Sequence, residues 1–232
     1  MKDAYDLLVS ESVPAGELAS LGWAGACFTG GESRNTGGLD SLTAKIVSGD
    51  VRKNARDALF TRDLAYYALS SPEANRRASE CWELDSFIVS DEYVRDERPG
   101  KKPALDFVSM KNMAERGIVL LVPFTLFLRK TGYLRARSVD TLVKTVRLAR
   151  KAGVGVIPAS GADNVLEARS PEDVACFGEM LGVPARQAGK SASMIISKSR
   201  ERRDGDVIVS GLRVVDWGGQ KPLERKRMFG WY

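Results

Sequence analysis

The sequence predicts an α/β barrel of about seven repeated strand–helix units. Three observations carry this. Short β-rich apolar runs alternate with amphipathic stretches along the chain. Three of the runs begin at residues 42, 64 and 86, an equal spacing of 22 residues. That is about the minimum for a strand, a turn, a short helix and a return. The runs are also nearly continuously apolar, as parallel strands covered on both faces are. An open doubly wound sheet satisfies the same alternation, but no G-x-G-x-x-G opens the first helix and no phosphate-loop pattern occurs.

The strand runs are Tyr5–Val9, Gly25–Thr29, Leu42–Val47, Leu64–Leu69, Ser86–Ser90, Ile118–Phe124 and Gly153–Pro158. Between them, helices carry start and stop signals. Asp50 caps a helix whose apolar face is Val51, Ala55, Ala58 and Leu59. Ser71-Pro72-Glu73 is a cap, a proline at the first helical position and a first-turn acid, with Ala74, Ala78, Cys81 and Trp82 as the face. A longer helix after Pro103 ends at Gly117. Ser138 opens the next, with Val139, Leu142, Val143, Val146 and Ala149 inward and Gly153 closing it. Ser170-Pro171-Glu172-Asp173 resembles a capping box, followed by core positions Val174, Phe177 and Leu181, with Gly182 as the stop.

After Arg203 the periodicity changes, which divides the chain into a barrel over residues 1–203 and a C-terminal segment over 204–232. Asp206–Ser210 and Leu212–Trp217 alternate around Gly211 as a small hairpin. A basic and aromatic tail follows, suited either to phosphates and bases or to a docking arm. Two loops stand out. The glycine-rich stretch Gly30–Gly38 is read as a flexible excursion. Glu97–Pro103 places Lys101 and Lys102 at the carboxyl end of a strand, where they either meet phosphate or sit in a solvated turn.

Composition narrows the chemistry. The chain of 232 residues contains no histidine, so Ser-His-Asp and Cys-His nucleophiles and imidazole-ligated zinc are excluded. Carboxylate, lysine or tyrosine chemistry stays open. Asp6, Asp85, Asp91 and Asp163 fall near strand ends, without a convergent cluster. Cys27, Cys81 and Cys176 lie far apart and read as three buried thiols. No apolar run reaches the roughly 18 residues that span a bilayer, and residues 1–6 lack a signal-peptide layout, so a cytoplasmic protein with no membrane partner is expected.

Net charge is +5, and its distribution is uneven. Arg129, Lys130, Arg135, Arg137, Lys144, Arg147, Arg150 and Lys151 face a single acid, Asp140, within one stretch of 23 residues. On the helix from Ser138, Lys144, Arg147 and Lys151 fall within roughly 60° of each other, opposite the apolar face. Such segregated charge suits a polyanion or an ordinary solvated face.

Three stretches resemble a known family. They are Leu84–Ser90 with Arg116–Phe124; Arg135–Lys151 leading to Val154–Ala162; and Leu166–Gly178 with Leu181-Gly182, Gln187-Ala188 and Ser191–Ser197. Over roughly residues 40–200 the chain resembles protein component 3 of archaeal ribonuclease P, shared with the eukaryotic nuclear enzyme. The first forty residues match poorly.

The resemblance implies a TIM-barrel-like fold similar to the PHP phosphoesterases but without their metal-binding histidines. It implies a subunit of the complex that cleaves the 5′ leader from precursor tRNA, using magnesium held by the RNA subunit and no cofactor of its own. Its partners would be the ribonuclease P RNA, the RRM-like component 2 and other protein subunits, with precursor tRNA contacted indirectly. The candidate RNA contacts are Lys101, Lys102, Arg129, Lys130, Arg135, Arg137, Lys144, Arg147, Lys151, Arg169 and Lys198, with no catalytic or metal-binding residue. A PHP-like metal-dependent phosphoesterase is the alternative.

Overall fold

The computed structural model describes residues 4–30, 38–96, 104–204, 206–209 and 212–216. Its elements follow the expected alternation: β1 (Tyr5–Ser10), α1 (Ala15–Ser20), β2 (Gly25–Thr29), β3 (Asp40–Val47), α2 (Val51–Thr61), β4 (Leu64–Ala68), α3 (Pro72–Ser79), β5 (Ser86–Ile88) and α4 (Asp91–Asp96). Then come α5 (Phe107–Glu115), β6 (Val119–Pro123), α6 (Thr125–Leu128), α7 (Gly132–Ala152), β7 (Val156–Ala159), α8 (Pro171–Met180) and α9 (Ala185–Arg203), with a 3-10 turn at Val165–Glu167 before α8. The hairpin β8 (Val207–Val209) and β9 (Leu212–Arg213) is antiparallel. The rest of the hairpin reading, the tail after Asp216 and most of the glycine-rich loop lie outside the described residues. Residues 1–192 and 193–232 form two compact units that divide within α9.

β1 to β7 form one parallel sheet in sequence order. The sheet closes where the chain leaves β7. Gly161 N–H donates to Leu8 O at 3.0 Å, Ser10 N–H donates to Ala162 O at 2.9 Å, and Val9 bridges Ala162 in parallel. Gly161 sits at φ +66°, and a Cβ there would lie 2.6 Å from Pro123 Cβ. Only glycine combines that backbone with that approach.

Strand alternation sorts the side chains into two layers. Tyr67, Phe87, Leu120, Val122 and Val156 face outward and pack with Met110, Met113, Leu142, Val146 and Phe177 of the covering helices. Their chain neighbours Tyr66, Ser86, Val119, Leu121 and Ile157, set in register with one another, therefore face the lumen, all buried. Tyr66 fills it: its hydroxyl donates across the barrel to Leu7 O at 2.9 Å and lies 3.3 Å from Cys27 Sγ.

The caps act where the sequence places them. Asp50, Ser71 and Ser170 accept from Lys53, Ala74 and Asp173 N–H. Three local readings are corrected. Ser138 does not open a helix; α7 already begins at Gly132, and the buried Ser138 hydroxyl donates to Leu134 O at 2.8 Å, so its polarity is satisfied inside the helix. On α3 the buried face includes Asn75, bonded to Ser70 and Ala104, while Trp82 beyond the helix is 38% exposed. Cys27 and Cys81 are buried, but Cys176 is exposed, because Val174, Phe177 and Leu181 turn the opposite side of α8 inward.

Candidate nucleic-acid interface

α7 carries five of the eleven candidate cations, Arg135, Arg137, Lys144, Arg147 and Lys151. Its 21 residues span about 30 Å, from the carboxyl-terminal mouth of the barrel after β6 to the opposite end before β7. Buried Leu142, Val146 and Ala149 fix its orientation, joined by Ser138, Thr141 and Thr145; Val139 and Val143 are only half-buried.

At the mouth the cations are held within the protein. Arg129 Nε and Nη2 donate to both carboxylate oxygens of Glu167 at 2.7 and 2.6 Å, and Nη2 also reaches Asp163 at 2.5 Å. The bonds to Glu167 and then Asp163 raise the Arg129 pKa, and the Arg129 bonds hold the Glu167 carboxyl below its usual range. Lys130 pairs with Asp91 at 2.6 Å. Arg135 donates to Lys130 O at 2.6 Å and lies 4.8 Å over the Phe127 ring. Arg137 donates to Arg95 O at 3.2 Å. The bidentate pair to Glu167 fixes Arg129, and carboxylates within the protein offset the charges of Arg129 and Lys130, whereas the bonds of Arg135 and Arg137 above go to neutral carbonyls.

The far end of α7 is different. Lys144 is paired with Asp140 at 2.7 Å. Arg147 and Lys151 are exposed and have no ion-pair partner among the described residues. Arg150, absent from the sequence-derived candidates, donates to Gly182 O in the turn after α8. Arg147, Arg150 and Lys151 thereby line a groove with Val143, Leu181, Gln187 and the single carboxylate of Glu179. Arg150 lies three residues from Arg147, so helical spacing holds the signal for it. Nothing in the sequence brings Gln187 or Glu179 to α7.

The remaining candidates are dispersed. Arg169 is half-buried and donates to Leu166 O and Ala168 O, curling onto its own loop. Lys198 is half-buried on α9 in the second compact unit. Lys101 and Lys102 lie outside the described residues.

The four strand-end carboxylates do not converge. Asp85 accepts Ala65 N–H at 3.0 Å before β5, Asp91 and Asp163 take part in the mouth pairs, and Asp6 is buried against Ser160. Among the described residues no group of three or more Cys, Asp or Glu is arranged to hold a metal ion. No helix among the described residues is long and apolar enough to cross a membrane.

A family model described as RNase P subunit p30 matches residues 71–204, more than half of the chain. The chain belongs to the RNase P subunit p30 family. The match takes in α3 through α9, and so all of α7 and both walls of its groove. The similarity expected over residues 40–70 lies outside it.

Among curated p30-related proteins, Ribonuclease P protein component 3 of Haloarcula marismortui is 30% identical over 106 residues, covering 44% of this chain and 45% of that protein. Its namesake from Archaeoglobus fulgidus is 27% identical over 110 residues, covering 47% and 54%. The chain thus spans about half the length of the curated relatives it matches. Among solved structures, a chain in a cryo-EM structure of archaeal ribonuclease P with mature tRNA has a TM-score of 0.74 at 19% identity, covering 92% of this chain and 100% of that one. A prolidase complexed with N-methylphosphonate-L-proline has a TM-score of 0.53 at 11% identity, covering 97% and 81%. These likenesses establish the TIM-barrel-like fold of this p30-family chain.

Proposed function

We propose that the chain is a protein subunit of ribonuclease P that supports the catalytic RNA during removal of the 5′ leader from precursor tRNA. The observation that carries the reading is the p30 family match across the segment that holds the cationic helix α7. In physical terms the protein contributes a stiff barrel surface and fixed positive charge. Phosphates placed against that charge release counterions and repel one another less, so the folded RNA is stabilised.

In this reading the RNA subunit and its Mg²⁺ perform the cleavage, and the chain brings neither a catalytic side chain nor a cofactor. Its partners are the ribonuclease P RNA, the RRM-like component 2 and the other protein subunits. Precursor tRNA is contacted indirectly, and the complex works in the cytoplasm.

The test is precursor-tRNA cleavage by the reconstituted complex with and without this chain. Adding it should lower the Mg²⁺ concentration needed for processing. Cleavage unchanged by its omission defeats the proposal. So does phosphodiester cleavage by the chain alone with Mg²⁺ or Mn²⁺, the result expected of a PHP-like phosphoesterase.

A further inference from the structure

This inference rests on the RNA-subunit reading and adds a location to it. We propose that the groove between the last two turns of α7 and the turn joining α8 to α9 seats the phosphodiester backbone of helical RNA, with Arg147 and Lys151 making the phosphate contacts.

The first argument is electrostatic. Arg147 has Lys144, Arg150 and Lys151 at the i−3, i+3 and i+4 positions of its helix, and no carboxylate at any of them. Neighbours of like charge at these spacings destabilise a helix. The helix dipole accounts for cations in the last turn, where Arg150 and Lys151 sit. Arg147 lies before that turn, where the dipole effect has faded. An external anion offsets the repulsion that the helix leaves standing.

The second argument is shape. Arg147 and Lys151 are one turn apart, about 6 Å along the axis, a separation of the same order as that between neighbouring phosphates along an RNA strand. The bond from Arg150 to Gly182 O ties the two walls together, so the cations border a concave surface and not an open helix face. Three cations against the one carboxylate of Glu179 make the groove electropositive. At the mouth, by contrast, Arg129 and Lys130 already face carboxylates of their own.

The experiment measures binding of the full chain to an RNA duplex of about 16 base pairs, a length on which double-stranded RNA domains act, at several salt concentrations. Arg147→Gln/Lys151→Gln should lower the slope of log affinity against log salt by about 2 and weaken binding roughly ten- to a hundredfold at 0.1 M salt. Glu179→Lys should do the reverse, steepening the slope and tightening binding, which a loss of fold cannot imitate. Lys53→Gln on α2 should bind as wild type.

A double variant whose affinity and slope match wild type overturns the groove assignment and leaves the subunit reading intact. A double variant that binds RNA normally but fails to assemble with the other protein subunits also overturns it, marking the groove as a protein-docking surface. Wild-type protein that shows no salt-dependent binding to the duplex overturns the groove, whereas the subunit reading is decided separately by the cleavage assay.

Discussion

Asp6 of β1 accepts the backbone N–H of Ser160, just past β7, at 3.1 Å, so a side chain of the first strand fastens the barrel where its sheet closes. The same oxygen lies 3.3 Å from Leu8 N–H, while Oδ2 has no hydrogen-bond partner and the residue is fully buried. Burial raises the pKa from 3.8 to about 6, against the lowering effect of the Ser160 bonds. A folded pKa above the unfolded one means that the folded state binds this proton more tightly. The contribution to stability is therefore complete below pH 3.8 and is lost as pH rises through about 6. Two pKa units correspond to about 3 kcal/mol. Asp6→Asn should thus gain on wild type by up to that amount between pH 4 and pH 7 in urea unfolding. A constant gap across this window would show that the carboxyl is not shifted.

The Arg129–Glu167 pair should show the opposite sign. Glu167 is depressed in the folded state, so its contribution is present above the ordinary carboxylate pKa of 4.5 and is lost as pH falls through the depressed value. The Arg129 side chain is 48% exposed, and solvent screening limits the pair to about 1 kcal/mol. Glu167→Gln should cost about that much at pH 7 and progressively less in acid, measured in the same unfolding series. A cost that does not shrink in acid would mean that the mouth is held by packing alone.

Removing the Tyr66 hydroxyl tests the lumen. Tyr66→Phe keeps the ring in place and leaves the Leu7 carbonyl without its donor. A buried, unsatisfied acceptor costs about 1–3 kcal/mol. The midpoint of urea unfolding should fall with little change in slope. An unchanged midpoint would mean that another donor reaches Leu7.

Two glycines should respond oppositely to alanine. A Cβ on Gly178 of α8 would lie 2.6 Å from Pro158 Cγ on β7, so Gly178→Ala pushes the helix off the sheet and should cost about 1–3 kcal/mol. Gly189 of α9 has open space where its Cβ would stand, and Gly189→Ala should stabilise by about 0.4–1 kcal/mol through helix propensity and a less free unfolded chain. Thermal midpoints of the two variants should move in opposite directions.

Local chemistry is what the sequence states well. The run of Leu64–Leu69 and the cap-proline pairs Ser71-Pro72 and Ser170-Pro171 mark their elements, because each signal acts over one or two turns of chain. The misreadings share a cause. Ser138 has the chemistry of a cap, yet its hydroxyl finds Leu134 O within the helix and α7 continues through it. Asn75 is absent from the apolar face expected of its helix, yet the Ala104 carbonyl, 29 residues on, accepts from its amide and satisfies it in the interior. In both, the deciding partner is chosen by three-dimensional neighbourhood and not by residue type.

The same division runs through the candidate interface. The sequence by itself determined the strand–helix alternation, the absence of imidazole chemistry and the concentration of cations between Arg129 and Lys151. Tertiary structure alone decided which of those cations are engaged within the protein. Arg129 meets Asp163 and Glu167, 34 and 38 residues further along, while among the described residues no carboxylate forms an ion pair with Arg147 or Lys151. Coulomb energy depends on separation through space and on the local dielectric, and a linear sequence specifies neither.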